Sequence, residues 1–445
     1  NVTTAADTYN TAVGHHAGVA VTTGTNNTLI GGLSGQLLTT GTYNVGVGKA
    51  SLGASATAPT TSDHNSALGA DALGKNISGD NNVGIGSSAL LNTTTGGNNT
   101  AVGRSAGAFA TTADTSVFIG HQAGQGINGV KLTGNNNTAV GANAGLLLQG
   151  IAANNTLIGA LSGDAITTGV RNTAVGDQSF STNLTGDFNT AVGRSAMFGN
   201  TTADSNTAVG YEALYTNLIS TQNVALGAFA GAVTVGEKNT LIGATAGQTL
   251  GDSDNNVAVG RAALNADHLG TRTTAIGFGA LSSQDFTSAT ETNNTAVGFN
   301  AGVLLETGTS NTLIGALAGD GLTTGAANVA LGTSALGADT LGQHNVAIGY
   351  QALDAQNFTT SNNSYNVAVG SSAGGAVITG EQNIFVGGLA GLFATTTDGS
   401  TFVGAEAGQG ITGAKLTGND NTAIGRGAGL LLQGVANGNT LIGSG

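Results

Sequence analysis

The sequence predicts an all-β parallel solenoid. Two observations carry that prediction: one short motif recurs from end to end, and its apolar and polar residues keep fixed columns. The motif is Asn-(Thr/Val)-(Ala/Leu)-(Val/Ile)-Gly, first at residues 10–14 and last at residues 439–443. Its glycine occurs 25 times, and of the 24 intervals between copies sixteen are 17 residues, five are 21, two are 18 and one is 16. A period of this size marks stacked units that each cover their neighbours. A single continuous repeat region over residues 1–445 is therefore expected, with no room for a separate catalytic domain.

A longer period lies over the short one. Residues 109–150 recur almost unchanged at 393–434, an offset of 284, and on the same offset residues 14–161 resemble 298–445. Even an exception is copied, since Ser116 and Ser400 both replace the motif asparagine. Duplication of a block of rungs explains this, and interchangeable rungs suit a length-adjustable fibre better than an enzyme.

Each column can be read as one environment. The residue before the motif glycine is Val, Ile or Leu in all 25 rungs, and two before it sits Thr, Val, Ser or Ile. Side chains two apart in a strand share a face, and β-branched residues favour a pleated surface. Between them stands a residue of the opposite face, most often Ala. Asparagine precedes the strand in 22 of 25 rungs, as at Asn10, Asn27, Asn99, Asn206 and Asn345. Stacked asparagines can bond their amides from rung to rung. The glycines, among them Gly14, Gly31, Gly103, Gly210 and Gly349, require either a positive φ or a close backbone neighbour. Four residues later the column is binary, holding Gly or a large apolar residue. The remainder, Thr-Thr-Gly or Thr-Asn-x-x-Gly, is turn chemistry. Each rung should yield two short strands and two turns, and 25 rungs at the β-spacing would extend about 120 Å.

Composition removes several classes. Glycine supplies 76 residues without a three-residue period and proline one, which excludes collagen. The formal net charge is −13 and the eleven Lys and Arg do not cluster, so nucleic acid is not an expected partner. There is no cysteine, hence no disulfide framework. No apolar run nears the roughly 18 residues of a membrane span, and no signal peptide is visible. The chain opens and closes within a repeat and reads as part of something longer.

The residues Asn-Thr-Ala-Val-Gly-x-x-Ala, and Asn-Val-Ala-Ile-Gly-x-x-Ala at 345–352, resemble the head repeat of trimeric autotransporter adhesins of the YadA type. They are also similar to repeats of phage tail fibres and large bacterial surface proteins. The resemblance covers the whole chain and implies a left-handed β-roll, a homotrimer, an extracellular or cell-surface location, and adhesion to host or prey surfaces. It would place Val346 and Ile348 in the roll interior and Ala347 against a neighbouring subunit. This chain departs from the family in its 17-residue rung, where about 14 or 15 is usual, and in frequent Thr at the inward Val position.

Five rungs are four residues longer, ending at Gly69, Gly141, Gly298, Gly370 and Gly425, and insertions in solenoids often bind. Candidate surface-recognition residues in them are Phe286, Phe358, Tyr365 and Pro59, whose rings could stack on a glycan or a receptor side chain. The pair His15-His16 and the trio Asp252-Ser253-Asp254 read as turn or surface residues rather than metal ligands. No cofactor, catalytic residue or metal site is expected. The sequence therefore points to a structural and adhesive extracellular fibre segment acting by multivalent contacts. The alternatives are a receptor-binding tail-fibre shaft or an ice-binding solenoid. Ice binding would want an exposed rank of Thr, whereas Thr here shares its face with the invariant aliphatic column.

Overall fold

A computed structural model describes residues 8–53 and 55–444. It is a parallel β-solenoid in which each rung contributes one three-residue strand, and among the described residues there is no helix. Contacts group the chain into two compact units, residues 1–222 and 223–445. The first holds twelve rung strands, from Thr11–Val13 to Thr207–Val209. The second holds thirteen, from Val224–Leu226 to Thr440–Ile442. Within each unit successive strands pair in parallel with motif residues in register, as Thr173, Ala174 and Val175 opposite Thr190, Ala191 and Val192.

The expected second strand of each rung does not form as a ladder. Left-handed residues recur two, four and twelve positions after the motif glycine, as at Ser105, Gly107 and Thr115, and they break extension. Only fragments of a second edge appear, chiefly beside the long rungs: Leu38 bridges Thr60, Ala110 bridges Leu132, and Gly270–Thr271 pairs with Thr290–Glu291.

The strand faces are the reverse of what the resemblance implies. Ala347 is fully buried, while Val346 and Ile348 lie on the outer face and are partly exposed. The pattern holds along both units, with the middle strand residue inside and the Thr and aliphatic columns outside. The reason is the small interior of the rung. Where the middle residue is Ala or Gly both in a rung and in the next one, the residue four after the motif glycine is a large one turned into the core, such as Leu52, Leu73, Phe180 or Met197. Where the middle residue is Leu or Phe, that position is Gly in its own rung and in the preceding one. Phe118 is flanked by Gly107 and Gly124, and Phe385 by Gly374 and Gly391. A Cβ on Gly107 would lie 2.6 Å from the Phe118 ring, and one on Gly35 would lie 2.8 Å from Leu29. Every one of the 24 complete rungs obeys this exchange of volume, which accounts for the binary column.

Both explanations of the motif glycine apply. Gly31 has φ +125°, and a Cβ there would stand 2.6 Å from the carbonyl oxygen of Gly48 in the next rung. An L side chain is thus excluded by backbone conformation and by the adjacent backbone together.

The asparagine column is a buried hydrogen-bond ladder. The Asn44 backbone N–H and side-chain amide donate to Asn27 Oδ1 at 3.0 and 3.1 Å, while Asn27 Nδ2 donates to the Gly41 carbonyl at 2.9 Å within its own rung. Each asparagine therefore joins two rungs and closes one. Ser116 keeps the first role, since its Oγ accepts the Asn137 N–H at 3.2 Å, but it has no amide to close the rung. A second ladder lies two residues earlier. Carboxylates there accept the backbone N–H of the preceding rung, as Asp63 from Thr42 at 2.6 Å and Asp80 from Asp63 at 2.7 Å.

Two expectations follow. Gly124→Leu should destabilise the chain by about 1–3 kcal/mol through overpacking against Phe118. Combining it with Phe118→Ala should recover part of the loss, read as a non-additive double-mutant cycle in denaturant unfolding. Asn99→Ala removes the acceptor for the Ser116 N–H and the donor to the Ala113 carbonyl. It should cost about 1–3 kcal/mol, and Asn99→Ser should cost less than Asn99→Ala.

Candidate binding surfaces

The outward strand face is the largest repeated surface. In the first unit Ile30, Leu68, Ile85, Ile119, Ile158 and Val209 are each more than a third exposed, and half-buried Thr or Val lies two residues before most of them. In the second unit Ile242, Ile276, Ile314, Leu331 and Ile424 repeat the arrangement. Twelve strands at about 4.8 Å make an aliphatic stripe on the order of 55 Å long beside a hydroxyl-bearing rank. A monomeric soluble protein rarely leaves so long an apolar surface uncovered.

The long rungs distribute their aromatic residues differently from expectation. Phe286 and Phe358 are 5% and 4% exposed, so neither ring is offered to a partner. Each folds back over a buried carboxylate. The Phe286 N–H donates to Asp267 Oδ1 at 3.4 Å, the Gly270 N–H donates to the same oxygen at 3.0 Å, and Gln284 Nε2 donates to Asp267 Oδ2 at 2.7 Å. Asn294 Nδ2 in turn donates to Gln284 Oε1 at 2.9 Å. The second copy joins Asp339, Gln356, Phe358 and Asn366 with matching distances. These inserts are plugs over the rung, with polar atoms satisfied internally. The signal was present in the sequence as Ala-Asp-x-Leu-Gly followed by Gln-x-Phe-Thr, twice.

Tyr365 does sit at the surface, half exposed and stacked on His344 with ring centroids 5.0 Å apart. It belongs to a column that also stacks Tyr43 on His64. Pro59 is exposed in its loop. A neighbouring outer column carries Arg261 over Phe278, which stacks on Phe299 at 5.5 Å. Such ladders arise because identical rung positions lie one strand spacing apart.

His15 and His16 stack on each other, and among the described residues no group of three metal-ligating side chains occurs. The Asp252-Ser253-Asp254 trio is internally engaged: Asp254 Oδ1 accepts the Glu237 N–H at 2.7 Å, and Ser253 Oγ donates to the His268 carbonyl at 2.8 Å. No described helix is long and apolar enough to cross a membrane. No family model matches the chain, and neither does any curated protein.

Burial pushes the carboxyls of Asp267 and Asp339 above their ordinary value of 3.8, against the lowering effect of the Gln and backbone N–H donors. The folded chain therefore holds these protons more tightly than the unfolded chain. Their contribution to stability is full in acid, below that ordinary value, and is lost as pH rises through the raised value. The melting temperature should fall as pH is raised from about 4 toward neutrality. The decline should be shallower in Asp267→Asn/Asp339→Asn, and an unchanged slope would remove these two groups as its source.

Proposed function

We propose that this chain is a structural and adhesive segment of an extracellular fibre, in which copies of the chain associate through the outward Thr/aliphatic strand face. The observation that carries this reading is the repetition of an exposed aliphatic residue on strand after strand. Burying such a stripe at about 25 cal/mol per Å² is the strongest driving force the surface offers. A self-complementary stripe is most simply covered by copies of itself around a closed symmetry axis. The head-repeat resemblance makes that assembly a homotrimer, and the abundance of interchangeable rungs suits a fibre whose length is adjusted by duplication. Weak contacts to a host or prey surface would then be multiplied along it.

A second reading is favoured by one specific fact. The Thr rank is not turned inward, as the sequence suggested, but stands on the outer face beside the aliphatic rank, in regular register. Alternating hydroxyl and methyl rows of that kind are what an ice-binding surface would present.

The two readings compete for one face and separate cleanly. Light scattering of the chain should give a single cyclic oligomer, and Ile119→Lys/Ile158→Lys should shift it toward monomer with little change in circular dichroism. A monodisperse wild-type monomer that shows thermal hysteresis would replace the assembly reading with the ice-binding one.

A further inference from the structure

The strongest feature left unassigned is a cavity of about 310 Å³ in the first unit, lined by Thr57, Lys75, Asn92, Thr94, Phe109 and the 128–131 loop. Its floor is a single column. Lys75, Asn92 and Phe109 each stand six residues after a motif glycine in three successive rungs. Its ends are closed by two of the long rungs, one contributing Thr57 and the other Asn128, Gly129 and Lys131. Those rungs begin four strand spacings apart, roughly 19 Å.

Electrostatically the cavity is out of character with the chain. Two of only eleven basic residues converge on it in a protein of net charge −13. Among the described residues neither ammonium is paired with a carboxylate. Lys75 Nζ donates to Asn92 Oδ1 at 2.7 Å, and Asn92 Nδ2 is committed to the Ala108 carbonyl at 2.8 Å. A neutral amide thus holds the lysine in place while leaving two of its three N–H groups and its full charge for something else. Phe109 adds a partly exposed apolar face to the floor, and Thr57 and Thr94 add hydroxyls.

The internal duplication supplies a comparison. The corresponding rungs of the second unit keep the aromatic as Phe393 and the loop lysine as Lys415. They replace Lys75 by Ala355, Asn92 by Ala376 and Thr94 by Ile378. The second unit also moves the insert, which lies between Gly349 and Gly370 instead of in the rung before, so the polar set and the long rung that closes one end of the cavity occur together in the first unit.

We infer that this cavity is a binding site for an acidic saccharide. The lysines would take the carboxylate or sulfate, the Phe109 ring would pack against the apolar face of a sugar ring, and Thr57 and Asn128 would meet hydroxyls. The inference does not depend on how the strand face is used, because no residue of that face lines the cavity.

The test is titration calorimetry on the full chain with trigalacturonate, with a sulfated heparin disaccharide, and with neutral maltotriose. One acidic saccharide should bind per chain, more weakly as salt is raised. Lys75→Met/Lys131→Met should weaken it by about tenfold or more, the worth of one charge-assisted contact, with the melting temperature unchanged. The two acidic probes distinguish a carboxylate from a sulfate ligand. Equal binding of maltotriose, binding unchanged in the double variant, or no saturable binding of either acidic probe would overturn the assignment. If the double variant fails to fold, Lys75→Ala, the residue the second unit carries as Ala355, should weaken binding by several-fold, and unchanged binding with the fold intact overturns the assignment equally.

Discussion

The rest of the structure depends on how little room the interior of a rung contains. Each strand sends one side chain inward, and the turn that faces it sends one back. The two must share a volume that fits one large residue and one small one. Because protein interiors tolerate neither voids nor overlap, the choice at one column dictates the choice at the other. With the core filled by a single residue per strand, the β-branched and aliphatic columns have nowhere to go but outward. The exposed stripe is therefore a direct result of a narrow core.

Hydrogen bonding supplies the second constraint. A rung made mostly of turns leaves many backbone groups without a strand partner, and buried ones must be satisfied. The asparagine ladder does this from side chains in nearly every rung, and carboxylates two residues before it add to it in some of them. The acidic character of the chain is in part a consequence, since Asp63, Asp80, Asp187 and Asp254 occupy a column defined by the backbone N–H it serves.

Much of the architecture was legible in the sequence because periodic columns expose their environments directly. The rung length, the parallel stacking, the asparagine ladder and the glycine constraint all followed from residue types at fixed spacing. The orientation of the strand did not, because alternation fixes which residues share a face without saying which face is inside. Resemblance supplied that choice, and the structure reverses it. The signal that could have decided it was the complementarity between the middle strand residue and the binary column, visible at Phe118 with Gly107 and Gly124. Phe286 and Phe358 were misplaced for a different reason. An aromatic in a polar insert is ambiguous until the Asp and Gln beneath it are seen as a repeated pair. The Lys75–Lys131 cavity was beyond sequence, since 56 residues separate the two lysines and only the stacking of rungs joins them.

The exchange of volume has a consequence for descent. Since a large middle residue needs glycine in its own rung and in the one before it, a rung cannot be spliced beside an arbitrary neighbour. Recombination leaves a viable joint only where the two sides agree, for instance between two rungs that both carry Ala in the strand and Leu in the turn. Lengthening by whole blocks preserves every internal agreement and puts only the joint at risk. The copy of residues 14–161 at 298–445 keeps such agreements even where its core has changed: Leu90 and Ala101 of the first are matched by Gly374 and Phe385 in the second, so the large residue and the glycine that makes room for it changed together.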